Sequence, residues 1–226
     1  SQSVLDLNLN VSITDRNPSF DEIQVLFELD DDILGLPEII SAINKAAENP
    51  NVEGIRLRSD YISAGWSQTR SIRNALKNFK LKGKFIYSYA DMFTQKGYYL
   101  ASVADSIFLN PLGMIEFKGL ASEVMYYKDF QDEYGVKMEV VRMGKYKSAV
   151  EPYLDDYMSK ENRSQIQSYM DDIWDTLLGD IATSRGVSEK TLDTHADNLA
   201  GANAQKAISA SLIDGTATRR SYKEKL

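Results

Sequence analysis

Segments with helical apolar spacing alternate with short strand-like runs along the first half of the chain. That alternation restricts the fold more than any other feature. Leu36 to Glu48 places Ile39, Ile40, Ile43, Ala46 and Ala47 at helical spacing, with Pro37 suited to a first turn and Asn49-Pro50-Asn51 as a stop. Val52 to Arg58 reads as a strand whose apolar members are Val52, Ile55 and Leu57. Ser67 to Phe79 returns to helical spacing through Ile72, Ala75, Leu76 and Phe79. Lys82-Gly83-Lys84 is a turn, Phe85 to Tyr89 a buried strand and Gly97 to Val103 a short helix. Ser106 to Leu109 is another strand, closed by Asn110-Pro111-Leu112-Gly113. Met114 to Phe117 is expected as a further short strand, Tyr126 to Glu133 as an amphipathic helix and Val136 to Val141 as a strand. Such alternation predicts an α/β fold with a largely parallel layer.

The later part of the chain reads as helical. Lys160 to Arg185 carries Ile166, Tyr169, Met170, Ile173, Trp174, Leu177, Leu178 and Ile181 on one face, with Ser159 as N-cap and Gly186 as terminator. Ser188 caps a short helix, and Ala202 to Ser211 forms a third. The expected organisation is a single domain over residues 1–226. Within it, 1–19 is partly irregular and pairs in part as a strand through Val4, Leu7 and Leu9. Residues 20–157 form the α/β core, 158–218 the helical part, and 219–226 a charged tail or linker that frays.

A chain of 226 residues is long enough to bury a real core. Its net charge of -7 argues against nucleic acid as a partner, since phosphate binding needs a basic face. The absence of cysteine excludes disulfides, thiolate metal sites and a cysteine nucleophile. His195 is the only histidine, so a self-contained Ser-His-Asp triad would have to use it. Nothing around it suggests a nucleophile, and it reads as a surface or partly buried residue. A histidine-rich metal site is excluded on the same count. No run approaches ~18 consecutive apolar residues, and no charged segment followed by an apolar one opens the chain. Ser1-Gln2-Ser3 reads as the start of an excised or processed segment.

One motif carries chemistry. Val141-Arg142-Met143-Gly144-Lys145-Tyr146-Lys147-Ser148-Ala149-Val150-Glu151-Pro152 sets two lysines beside a glycine, an aromatic and a Ser-Ala pair, directly after a strand-like run. By spacing alone it is either a basic, solvated turn or the seat of a general base. The second needs a lysine whose pKa has fallen far below that of a free ammonium, usually by desolvation.

Gly144 to Pro152 resembles the lysine motif of the signal peptide peptidase A (SppA, protease IV) family of membrane-anchored Ser/Lys proteases. The resemblance extends, in order, over Asn51 to Leu57, Lys82 to Tyr87, Gly97 to Pro111 and Leu120 to Lys128, and beyond the motif through Tyr153 to Ser159. It is to the N-terminal half of the long, tandem-domain form. It implies a crotonase-like (ClpP-like) α/β fold of repeated ββα units with C-terminal helices. It also implies that Lys147 is the general base and Lys145 a surface or helper residue. Ser148 either hydrogen-bonds the amine or caps a turn; Glu151, Asp155 and Asp156 are structural or solvated.

Two departures bear on mechanism. The family's nucleophilic serine stands just before Gly-Gly-Tyr at a helix start; here the run is Phe93-Thr94-Gln95-Lys96-Gly97-Tyr98, with Gln95 at that position. A carboxamide cannot perform the covalent step, and Thr94 is one residue out of register. Of the family's oxyanion-hole glycine pair, Ile62-Ser63-Ala64-Gly65-Trp66 keeps Gly65 and has Ala64 beside it. The resemblance therefore implies half an active site. The lysine lies here, and the serine lies in a C-terminal catalytic domain of the same protein.

The implied substrates are cleaved signal peptides or other extended apolar peptides. The implied setting is the exported side of a bacterial membrane, reached through an upstream anchor, with homo-oligomerisation and no cofactor. A different class also fits the degenerate nucleophile position, the acidic composition and the 13 tyrosines: a non-catalytic assembly or peptide-binding scaffold. An acyl-CoA enzyme of the crotonase fold is less well matched, because no corresponding glutamate pattern is present.

Overall fold

The computed structural model describes residues 2–16, 33–135 and 150–223. The chain divides into two compact units, one of residues 1–118 and 177–226, the other of residues 119–176.

The first unit is built on a parallel sheet. Its strands are β1 (Ser3–Asn8), β4 (Val52–Arg58), β5 (Phe85–Ala90), β6 (Ser106–Leu109) and β7 (Gly215–Thr216), hydrogen-bonded in the order β1-β4-β5-β6-β7. Every pairing is parallel. A smaller parallel pair joins β2 (Ser12–Thr14) to β3 (Ile33–Gly35). Parallel neighbours need crossovers: α1 (Leu36–Glu48), α2 (Trp66–Leu81) and α3 (Gln95–Ala101) lie in those from β1 to β4, β4 to β5 and β5 to β6, while β6 reaches β7 only through residues 110–214. The expected α/β class with a parallel layer therefore holds. Strand β1 is the part of segment 1–19 expected to pair as a strand; Leu7 within it and Leu9 just after it are buried.

The sheet's two faces differ. Ile55, Leu57, Ile86, Ala90, Ile107 and Leu109 share one face and have no exposed surface. Full burial stabilises each such aliphatic side chain by about 1.5–3 kcal/mol. Ile39, Ile43 and Ala46 of α1 and Ile72, Leu76 and Phe79 of α2 are buried at i, i+3, i+4 and i+7 spacing. The opposite face alternates with the first and carries Arg56, Tyr87, Tyr89 and Phe108. Gly54 lies opposite Phe85 in the β4–β5 register, and a Cβ there would come within 2.3 Å of the Phe85 ring.

Tyr222 stacks on Tyr89 with ring centroids 5.0 Å apart and is 2% exposed. It belongs to α9 (Arg219–Lys223), a short helix over the described part of the tail 219–226. One aromatic on that short helix finds a ready-made aromatic face, and Arg219 pairs with Asp91 at 2.7 Å. The expected strand Met114–Phe117 is a single bridge, Phe93 to Ile115. Ile115 N–H goes to Gly201 O and Glu116 N–H to Phe93 O, so its hydrogen bonds are split between two partners rather than forming a ladder.

The second unit holds α4 (Lys128–Tyr134), α5 (Glu151–Leu154) and the first part of α6 (Lys160–Arg185). Gly135, with φ +68, ends α4 in the left-handed conformation. Ser159 Oγ accepts from Asn162 N at 3.1 Å, as expected of the N-cap of α6. The later helices are α7 (Glu189–Asp197), capped by Ser188, and α8 (Ala204–Ser209), capped by Asn203. The expected strand Val136–Val141 and the lysine motif through Ala149 lie outside the described residues.

Candidate active site

The carboxyl ends of β4 and β5 converge on the head of α3, the edge of a parallel sheet where ligands usually bind. Thr94 is the N-cap of α3. Its Oγ1 accepts from Gly97 N at 3.2 Å and donates to Asp60 O at 3.1 Å, and its N–H donates to Asp60 O at 3.0 Å. Thr94 is thus committed to building the helix start. Ser59, fully buried, donates from Oγ to Gly97 O at 3.1 Å. This close approach requires glycine: a Cβ on Gly97 would lie 2.1 Å from Ser59 O and 2.7 Å from Asp60 O.

Gln95 is the first residue of α3, where the resemblance places the nucleophile. Its Oε1 accepts from Lys118 N at 3.1 Å. Its neighbour Lys96 is half-buried, donating to Ala64 O at 2.6 Å with Nζ 5.2 Å from the Trp66 ring centre. Gly65 caps α2, and its N–H donates to Gln68 Oε1 at 2.7 Å; Gln68 Nε2 donates to Asp15 at 2.7 Å. The backbone N–H of the retained glycine is therefore held by a neighbouring side chain. Gln68, Gln95 and Asp60 each accept a backbone N–H here, from Gly65, Lys118 and Thr94 respectively.

Charge at the same edge is organised around two aspartates. Burial pushes the Asp60 carboxyl up, against a hydrogen bond from Asn10. Asp91 moves the other way, held below the usual carboxylate range by the Tyr89 hydroxyl at 2.7 Å, then by Asn110 at 2.9 Å and by Arg219. Burial and the bond to Asp91 push the Tyr89 hydroxyl up to about 12. The sequence reading missed this Tyr89-Asp91-Asn110-Arg219 cluster. Its only signal was the Asn110-Pro111 turn, and Arg219 is far away along the chain.

Lys147, Lys145 and Ser148 lie outside the described residues. Glu151 is fully buried in the second unit and bonded to Ser159 and Asn162, while Asp156 is exposed and pairs with Lys128 at 3.4 Å. His195 is half-buried on α7. Among the described residues, no group of three or more acidic or histidine side chains is arranged to hold a metal ion. No helix among them is long and apolar enough to cross a membrane.

Comparison with known proteins gives these features a family. Residues 78–226 match the peptidase family S49. The chain is 31% identical over 197 residues to Protease 4 of Haemophilus influenzae, covering 84% of this chain and 32% of that protein. It is 32% identical over 189 residues to Protease 4 of Salmonella typhi, covering 80% and 31%. It is 29% identical over 160 residues to the chloroplastic serine protease SPPA of Arabidopsis thaliana, covering 71% and 24%. The chain spans a third or less of the length of these relatives. The family match covers α3, the lysine motif and all that follows, and the chain belongs to peptidase family S49.

Proposed function

We propose that this chain supplies the general-base lysine of a serine peptidase with a Ser/Lys dyad, and that the nucleophilic serine comes from a further catalytic domain of the same protein. The observation that carries this reading is Gln95. A chain of a peptidase family has, at the head of α3, a carboxamide bonded to Lys118 N–H, where a covalent catalyst would need a hydroxyl. Lys147 takes the proton from the serine hydroxyl as it attacks the peptide carbonyl. It returns that proton to the leaving amine, and water then hydrolyses the acyl-enzyme. The amine must be neutral near pH 7, which burial against the catalytic domain would achieve.

The substrates are extended apolar peptides, cleaved signal peptides among them, bound as an added strand. The protein acts on the exported side of a bacterial membrane through an anchor outside this chain, as a homo-oligomer. The test is hydrolysis of a fluorogenic apolar peptide by this chain alone and by the whole protein, each with and without Lys147→Ala. The expected result is silence alone, activity in the whole protein, and its loss in Lys147→Ala.

A second reading, a non-catalytic peptide-binding scaffold, draws on the same Gln95 and on the occupied Gly65 N–H. Whole-protein activity that survives Lys147→Ala would favour it. Activity of this chain alone would place a nucleophile within it and end the half-site reading.

A further inference from the structure

The aromatic side chains of α4 and α5 are exposed. Tyr127, which caps α4, and Phe130 and Tyr134 within it recur at spacings of three and four, which puts them on one face of the helix. The Phe130 and Tyr134 rings lie 4.6 Å apart, and Tyr153 of α5 extends the row by stacking on Tyr127 at 5.6 Å. These side chains are between 36% and 66% exposed. Apolar groups exposed singly are ordinary, but an exposed row of them marks a binding surface.

The charge beside the row selects its occupant. Asp129 and Glu133, one turn apart on α4, are exposed next to Phe130 and Tyr134, and exposed Asp155 follows Tyr153. None of these carboxylates has a cationic partner among the described residues, because Lys128, the cation of α4, is taken by Asp132 and Asp156 at 3.4 Å each. Carboxylates beside aromatic faces suit a lysine or arginine: the ring quadrupole draws the cation and the carboxylate accepts its hydrogen bonds. A second copy bringing up the same face would set like charge against like. An anionic lipid surface would be repelled in the same way.

We propose that this row is a docking surface for the cationic end of an apolar peptide substrate. Lysine or arginine side chains lie over the Phe130 and Tyr134 rings against Asp129 and Glu133, and the adjoining apolar residues cover Tyr127 and Tyr153. The proposal rests on the reading of the substrates as apolar peptides, signal peptides among them, in which a positively charged segment precedes the apolar one. Helix α4 is about 10 Å long, which matches about three residues of extended chain, so the surface reads one short cluster of the peptide. It adds selection by charge where apolar contact alone discriminates poorly.

The test is stopped-flow fluorescence anisotropy on the whole protein that carries this chain, which reads binding ahead of cleavage. The probes are a labelled apolar peptide led by three lysines and its counterpart with glutamines at those positions. The lysine probe is expected to bind about 10-fold tighter, from a cation–π contact and exposed ion pairs that each contribute a few-fold. Phe130→Ala with Tyr134→Ala should weaken the lysine probe about 10-fold. Asp129→Asn with Glu133→Gln should bring the two probes to within about twofold of each other and remove the salt dependence of their difference. All of these side chains are exposed, so the variants should fold, which thermal melts check. Leu112→Ala, at a 97% exposed apolar residue of the other unit, is the control and should change neither affinity.

Equal affinity of the parent for both probes overturns the proposal, as do unchanged affinities in the two double variants. So does a shift in oligomeric state of Phe130→Ala/Tyr134→Ala, read by sedimentation velocity, with peptide affinity intact; the row would then be an interface between copies. Cleavage of the same probes is read separately by mass spectrometry. If the whole protein hydrolyses neither probe yet prefers the lysine one through these residues, the substrate reading fails and the cation-binding surface stands. Hydrolysis of both probes with no preference in binding keeps the substrate reading and removes the surface.

Discussion

In the unit formed by residues 1–118 and 177–226, Leu9, Ile43, Ile55, Leu57, Ile86 and Leu109 have no exposed surface. In residues 119–176 the buried side chains among the described residues are Gln131, Glu151 and Asn162, while Met125, Phe130, Tyr134, Tyr157 and Tyr169 are exposed. The first unit hides mostly hydrocarbon, with Ser59, Thr69, Arg73, Ser88 and Ser102 as its buried polar members, whereas the second, among the described residues, hides only hydrogen-bonding groups. A hydrocarbon core responds to volume and tolerates swaps that conserve it. A buried polar network responds to the loss of single donors, because the abandoned partner keeps its desolvation cost. The part of the chain next to the lysine motif is therefore the part whose order depends on bond geometry rather than on bulk.

The comparison is broken most forcefully at Gly97. Gly97→Ala sets a methyl 2.1 Å from Ser59 O, against backbone that cannot swing aside. It should cost about 3 kcal/mol of stability in urea denaturation. A loss below about 1 kcal/mol would mean that the head of α3 yields, and that the first unit is not the close-packed partner in the contrast.

Asn162→Ala comes next, with an expected cost of about 2 kcal/mol, because it leaves a buried carboxylate short of a donor. Hydrogen exchange should show it in residues 150–163, with the sheet amides of β4 to β6 unchanged. Equal loss of protection in the sheet would mean that the two units unfold together.

Asp91 gives the smallest effect. Its carboxyl is held low by Tyr89, Asn110 and Arg219, so its contribution is fully present above the ordinary carboxylate pKa. It fades as pH falls through the lowered folded value. Its side chain is 47% exposed and its partner Arg219 67%, so solvent screening keeps the contribution under about 1 kcal/mol. Thermal melts of Asp91→Asn against the parent should differ above that range and converge in acid. Divergence in acid would reverse the sign.

Much of the first unit was legible because its signals are local. The strand Val52–Arg58 has the bounds read from its apolar run, and the helices around it start and stop at Pro37, Asn49 and the Lys82-Gly83 turn. Gln95 at the head of α3 was legible from register against the Gly97-Tyr98 pair. Its bond to Lys118 was not, since no local pattern links positions 23 apart.

Arg73 was hidden altogether. The helical spacing of Ile72, Ala75, Leu76 and Phe79 gave it no role. It is fully buried, bonded to Tyr99 O, Ser102, Asp180 O and Ser184, with its guanidinium 4.6 Å from the Tyr99 ring centre. Glu151 was read as structural or solvated. Its burial depends on Ser159 and Asn162, which the sequence offered only as the start of a helix.

Strand β7 has a consequence for the order of events during synthesis. Asp214 takes the N–H of Ile107 from 107 positions away, and Leu212 O takes the Tyr98 hydroxyl from 114 positions away. A ribosome delivers β1, β4, β5 and β6 long before the residues that close the sheet beyond β6, with all of 119–176 emerging in between. Until residues 212–216 are released, β6 presents an open parallel edge, the kind of exposed strand that invites mispairing and slows folding. Residues 212–216 thus act as a late seal on β6, and a nascent chain stalled before them would be the form most in need of a chaperone.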